Sequence, residues 1–239
     1  MGSGGMMSTF VLVHGSWGGG WEWRGVASEL RRSGHEVHAP TLSGLGERAH
    51  LSGVGVGLTT HIEDVASLLW FEDLEDVVLV GWSYGAAVCE GVADLTPQRL
   101  RLVVNLDGPL IQDGQAVVDS WDADDPDRAR LKDTHVPPPS EEDMGLALAD
   151  ADLCHWAAAR LRPQPTRCWT EPLPARGGRR NTVAHAYLAC TEQQDDESAS
   201  QVAALRSDPA WEVHDVPLNH LGLVYDPRRI AAALHKIAP

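Results

Sequence analysis

Residues 77 to 85 constrain the fold more than any other part of the chain. Val77 to Val80 is an unbroken aliphatic run that ends in Gly81-Trp82-Ser83-Tyr84-Gly85, and Ala86 to Leu95 follows with helical character. A strand with no polar face must be covered on both sides, which places it inside a parallel sheet with helices above and below. The two glycines let the strand and the departing helix approach closely. The turn between them holds Ser83 in a strained backbone conformation, with its hydroxyl projecting above the C-terminal edge of the sheet.

Strand and helix signals alternate on both sides of this unit. Further strands are expected at Thr9 to Val13, Glu36 to Ala39, Leu102 to Leu106, Ala184 to Cys190 and Trp211 to Val216. Helices are expected at Trp21 to Arg32, Leu58 to Phe71 (with Thr60 as N-cap and Glu63 three residues on), Ser198 to Arg206 and Pro227 to Ile237. Six strands alternating with helices predict an α/β fold built on a mainly parallel sheet with helices on both faces. A length of 239 residues, 43% hydrophobic and 22% charged, fits one large globular domain.

From Gln112 to Arg180 the alternation breaks, strand signals vanish, and proline, charge and tryptophan dominate. Twelve acidic residues stand against three basic between 112 and 152, and six Arg against one Glu between 153 and 180, so the acidity is concentrated in the first half of this segment and the second half is basic, within a chain of net charge −15. The expected organisation is a leftover tag or disordered stretch at 1–7, a core at 8–111 and 181–239, and a helical lid at 112–180. The acidity argues against nucleic acid as a partner. No apolar run approaches a membrane span, and no signal-peptide region opens the chain. Cys89, Cys154, Cys168 and Cys190 form no C-x-x-C pair and read as reduced thiols of a cytoplasmic protein. Neither a metal-binding cluster nor a cofactor is expected. The composition is compatible with a homodimer, and the six arginines with docking of an acidic carrier protein.

A serine hydroxyl needs a base, and of eleven histidines His220 fits best. It lies in Pro217 to Gly222, between the last strand and the last helix, at the same sheet edge as Ser83. His14, His155, His185 and His214 read as structural. The acid that orients His220 needs a strand end between theirs. Asp107 is preferred because it sits directly at a strand terminus; Glu192, Asp195 and Asp196 are the alternatives. His14-Gly15 ends the first strand beside the nucleophile strand, so the N–H groups of Ser16 and Tyr84 are candidates to hold a developing oxyanion.

The segments VHGSWGGGW, GWSYG and NHLGL, in this order, resemble the α/β-hydrolase fold. More narrowly the chain is similar to the group of plant methyl-ester esterases, plant hydroxynitrile lyases and bacterial esterases. The resemblance covers residues 9 to 238 and implies a six-stranded sheet that lacks two leading strands of the full fold. GLGERAH (44 to 50) and RLRPQP (160 to 165) also resemble bacterial members. Three positions depart from the group. Trp82 stands where most relatives carry His before the nucleophile. The usual acid, after the fifth strand, aligns near Gln194 and Asp195 without a clean match. Leu221 follows His220 where hydroxynitrile lyases carry the lysine that holds cyanide, which argues against cyanohydrin cleavage.

The expected activity is cofactor-independent hydrolysis of an ester or thioester of a bulky hydrophobic small molecule, through an acyl-enzyme. A lyase, cyclase or dehydratase that uses the same Ser-His pair for proton transfer, or a receptor-like binding protein, are the alternatives. Nine Trp against three Tyr and two Phe point to an indole-lined pocket. Trp17, Trp82, Trp121, Trp156 and Trp169 are the expected ligand contacts; Trp21 and Trp23 also follow the first strand.

Overall fold

The computed structural model describes residues 7–121, 126–145, 148, 150–192 and 196–238. Six strands form one parallel sheet: β1 (Thr9–Val13), β2 (Glu36–His38), β3 (Val77–Trp82), β4 (Leu100–Leu106), β7 (Ala184–Cys190) and β8 (Trp211–Val216), in the order β2-β1-β3-β4-β7-β8. The strands differ from the sequence reading only at their ends: β2 stops at His38, β3 runs on to Trp82 and β4 begins at Leu100.

Both faces of the sheet are covered, which is why β1, β3 and β4 could dispense with a polar face. Against one face lie α2 (Leu58–Phe71) and α3 (Tyr84–Leu95), packing Ile62, Val65, Leu69, Val88 and Val92 onto Val11, Leu79 and Val103. Farther along the same sheet, α7 (Asp196–Arg206) sets Val202 and Leu205 against Tyr187 and Ala189. The opposite face takes α1 (Arg24–Arg32) and, after the short α8 (Gly222–Tyr225), α9 (Pro227–Ile237); Val26, Leu30, Ile230 and Leu234 of α1 and α9 meet Phe10, Leu12, Val78, Val80 and Val104. Thr60 does not cap α2. Gly57 is the N-cap, and Thr60 lies a turn inside, where its Oγ1 takes the Gly57 N–H at 3.4 Å.

Between β4 and β7 the chain forms short pieces: α4 (Glu141–Gly145), α5 (Ala151–Ala158) and α6 (Arg167–Thr170), with 3₁₀ turns before α4 and after α6. It also holds a strand pair the sequence did not signal, β5 (His135–Val136) antiparallel to β6 (Gln164–Pro165). Two residues per strand are too few for a period-two pattern. Met144, Leu148, Cys154, Ala157 and Leu161 make a small apolar cluster of their own, seated on Trp17, Trp21, Leu221 and Tyr225.

Register fixes which residues share the working rim. Val13 pairs with Gly81, Trp82 with Leu106, Leu106 with Leu188, and Cys190 with Val216. The loops that begin at residues 14, 83, 107, 191 and 217 therefore emerge side by side.

Candidate active site

Ser83 leaves β3 with φ 53° and ψ −125°, outside the regions open to most L-residues. The surroundings over-determine this strain. Its N–H donates to the Leu106 carbonyl at 3.1 Å, and Ala86 N–H donates to the Ser83 carbonyl at 2.9 Å. A Cβ on Gly81 would stand 2.4 Å from the Gly85 carbonyl oxygen, and one on Gly85 2.6 Å from the carbonyl oxygens of Val13 and His14. Those neighbours are backbone and cannot yield. Ser83 is also the N-cap of α3, so the unpaired N–H groups and positive end of that helix lie at its base.

His220 and Asp107 meet across the rim. Asp107 Oδ2 accepts from His220 Nδ1–H at 2.7 Å, while Oδ1 accepts from Cys190 N–H at 3.1 Å. A carboxylate has only lone pairs to offer, so the shared proton belongs to Nδ1 and Nε2 keeps its lone pair. Asp107 has φ 51° and donates its own N–H to the Leu188 carbonyl at 3.0 Å. Its side chain is 14% exposed against 45% for His220. The imidazole is fixed from its buried side and open on the other.

Trp82 lies against the ring of His220, with centroids 5.2 Å apart and planes at 35°, and its Nε1–H donates to the His220 carbonyl at 3.0 Å. A Cβ at Gly15 would come within 2.8 Å of the same indole.

The loop after β1 is held at two levels. His14, fully buried, donates from Nδ1 to the Gly15 carbonyl at 2.8 Å and accepts Leu42 N–H at Nε2 at 3.0 Å. Burial drives its pKa down to about 3. Trp17 has φ 61° and is gripped from the 112–180 segment: its N–H donates to Gln164 Oε1 at 2.7 Å, its Nε1–H to the Val136 carbonyl at 3.1 Å, and its carbonyl accepts Arg162 N–H at 2.9 Å. Tyr84 directs its hydroxyl away from this loop, donating to His61 Nδ1 at 2.8 Å, and burial pushes its phenol well up. Cys168 approaches the same imidazole at 3.9 Å, its thiol pushed by burial up to about 12.

Two cavities meet at Ser83, and both also touch Ser16 and Trp17. The first, about 210 Å³, is walled by Trp17, Trp21, Trp82, Met144, Leu161 and Val224, and includes His220 and Glu22. The second, about 300 Å³, is bordered by Trp121, Trp169, Tyr187, Gln201 and Asp107.

A family model described as the alpha/beta hydrolase family matches residues 10–233. The chain belongs to that family. This α/β hydrolase is 34% identical over 242 residues to the carbendazim hydrolyzing esterase of a Nocardioides strain, covering 95% of this chain and 98% of the relative. It is 28% identical over 109 residues to methylesterase 18 of Arabidopsis thaliana, 45% of this chain and 41% of that one. An extracellular alpha/beta-hydrolase from a Paenibacillus species superposes with a TM-score of 0.82 at 23% identity, over 96% of this chain and 98% of the other. The hydrolase is a carboxylic-ester hydrolase-like enzyme acting on small molecules.

Of the residues singled out in the sequence, the hydrolase brings Ser83, His220, Asp107, Ser16, Tyr84, Trp17 and Trp82 to one rim, with Trp121 and Trp169 on the second cavity. Trp156 borders neither cavity. It packs edge-on against Trp21 at 5.1 Å and carries the Arg24 and Arg160 guanidiniums on its ring, so Trp21 takes the wall position instead. Trp23 is fully buried in the core. Asp195 lies outside the described residues, as does the side chain of Asp196. Glu22 and Gln164 went unnoticed in the sequence. An acid between two tryptophans was a visible oddity at Glu22, whereas nothing local marks Gln164. Among the described residues no group of three or more His, Cys, Asp or Glu could hold a metal ion, and no helix is long and apolar enough to cross a membrane. All four cysteines are free and buried.

Proposed function

We propose that this hydrolase cleaves esters of bulky apolar substrates through an acyl-enzyme on Ser83. His220 Nε2 takes the Ser83 proton as Oγ attacks the carbonyl, then returns it to the departing alcohol, and in the second half it activates water to release the acid. Asp107 keeps His220 in the tautomer that leaves Nε2 free and stabilises the imidazolium that forms. The N–H groups of Ser16 and Tyr84 receive the oxyanion, a contribution of about 10²–10³ in rate per donor in such sites. The observation that carries this reading is the 2.7 Å contact between Asp107 Oδ2 and His220 Nδ1, at the rim where Ser83 is held in its strained turn.

The 112–180 segment acts as the cap. It supplies Met144, Leu148 and Leu161 to one cavity and Trp121 and Trp169 to the other, so acyl and alcohol portions of a substrate occupy separate chambers on either side of Ser83, the first mostly apolar and the second mixed, with Trp121 and Trp169 beside Ser120, Tyr187 and Gln201. Fluorophosphonate labelling followed by peptide mass spectrometry tests the nucleophile. Ser83 carries the adduct if the proposal holds, and an unlabelled Ser83 in folded protein refutes it. Turnover of p-nitrophenyl esters and of carbendazim, with Ser83→Ala as the blank, then gives the substrate range.

A further inference from the structure

Glu22 is the unexplained acid at this site, beside Trp21, whose Nε1–H is also buried without a partner among the described residues. Glu22 belongs to the 3₁₀ turn Gly20–Trp23, is 6% exposed, and borders the first cavity together with Ser83 and His220. Its Oε2 is buried and meets no hydrogen-bond partner among the described residues. Glu90 and Asp94 are also buried, and Asp94 Oδ2 likewise meets no partner among the described residues, but neither borders the cavities at Ser83, and Arg180 reaches Glu90 with its guanidinium and Asp94 with its backbone N–H. The carboxyl of Glu22 lies over Gly18, where a Cβ would fall 2.2 Å from Oε2, so the glycine leaves the space the acid occupies. Burial holds the acid well above the usual carboxylate range, partly opposed by the N–H groups of Gly19 and Gly15. Burial therefore favours the carboxylic acid, which has an O–H to give, over the carboxylate, in a chamber whose other walls are mostly indole and aliphatic, with Asp143 the second acid on its lining.

We propose that Glu22 is the polar anchor of the substrate cavity, and that the portion of the substrate bound there carries a weakly basic nitrogen on a flat aromatic frame, which accepts the Glu22 O–H. This deepens the esterase reading and rests on it. A nitrogen lone pair is the acceptor that best matches a neutral carboxylic acid, because the proton can be shared or passed to it without any third group, leaving a carboxylate beside the cation it has made. The flat frame follows from the walls, since Trp17, Trp21 and Trp82 offer π faces and edges to a ring. A site with a buried, unsatisfied polar group also rejects the ligand that lacks its complement. Glu22 thus selects against hydrocarbon rings as much as for nitrogen bases.

Quinoline and naphthalene have nearly the same shape and differ in one ring nitrogen. Calorimetric titration of each into the Ser83→Ala protein reads the preference without any turnover. Naphthalene is the more hydrophobic, so an apolar chamber without an acid favours it. The proposal expects quinoline to bind about tenfold tighter, with its near-ultraviolet band moving toward that of quinolinium. The order reverses in Glu22→Met. Glu22→Gln keeps the shape of the acid and one N–H donor, and so guards against a Met variant that fails to fold; it retains part of the preference and loses the quinolinium signal. Naphthalene binding as tightly as quinoline, or a preference unchanged in Glu22→Met, overturns the assignment. Because the titration does not need Ser83, such a result leaves the acyl-enzyme reading to its own labelling test.

Discussion

Replacing Asp107 with Asn isolates the role of one proton. The two side chains have the same shape, and Asn Oδ1 can still accept the Cys190 N–H that now reaches Asp107 at 3.1 Å. With that bond kept, the Asn NH₂ takes the place of Oδ2, 2.7 Å from His220 Nδ1. Two donors cannot face each other, so Nδ1 must become the acceptor and the imidazole proton moves to Nε2. The base that Ser83 needs is then blocked in the ground state, and the imidazolium loses its counter-charge. Losses of this kind run to about 10⁴ in kcat, or roughly 5.4 kcal/mol at about 1.36 kcal/mol per decade. KM should move by less than about threefold, since Asn keeps the shape that Asp107 presents to the second cavity, and the fold should lose no more than about 1–2 kcal/mol for one weakened bond. Steady-state kinetics on p-nitrophenyl acetate with a urea melt of the same preparation measure all three. A variant that is folded and within about tenfold of the parent kcat refutes the tautomer argument. Asp195→Asn is the control and should stay active; the reverse pattern moves the acid to the loop after β7.

Other consequences can be checked separately. Trp82→Phe keeps a ring beside His220 but removes the Nε1–H that holds its carbonyl, and should lower kcat by about fivefold, near 1 kcal/mol, with KM little changed. Gln164→Ala leaves the Trp17 N–H without its acceptor, and should cost about 1–3 kcal/mol in a urea melt together with a fall in kcat rather than a rise in KM. Gly85→Ala forces a methyl into two backbone carbonyls and should destabilise by about 1–3 kcal/mol or fail to accumulate as soluble protein. Glu22 gives a pH signature. Its folded pKa lies above the ordinary 4.5, so the native state holds a proton that the unfolded chain has released, and its contribution is full below 4.5 and declines as pH rises toward the folded value. Glu22→Gln cannot ionise, so its stability relative to the parent should improve by about 1.4 kcal/mol for each pH unit across that window, and a difference independent of pH contradicts a buried neutral acid.

The sheet was legible because its central strands β1, β3 and β4 are mostly aliphatic and are followed closely by glycine, signals that tertiary context rarely overrides. Ser83 was legible for the same reason: two close backbone approaches, at Gly81 and Gly85, leave a spelled motif. Asp107 could be preferred over the residues after β7 from its place at a strand terminus. What the sequence could not convey is that Cys190, on the neighbouring strand, gives its N–H to that carboxylate. Glu22 was missed because burial of an acid is a property of everything around it: Gly18, Trp21 and the cap cluster come together only in the folded chain. The pair β5 and β6 was missed because it joins residues nearly thirty apart through two-residue strands. Trp156 was misplaced because position within the 112–180 segment does not say which side of an indole faces a chamber.

The grip on Trp17 bears on how such a chain can be rebuilt. Three hydrogen bonds from residues 136, 162 and 164 converge on one tryptophan of the loop after β1, and its indole also rests on Trp169, 5.4 Å away. The 112–180 segment and that loop are therefore not independent modules. A chimera that imports a foreign segment in place of residues 112–180 brings no guarantee of an acceptor for the Trp17 N–H, and the left-handed backbone at that position loses the contacts that hold it. Exchanging residues 14–20 together with residues 112–180 keeps donor and acceptor in one cassette, so recombination boundaries belong outside both stretches rather than between them.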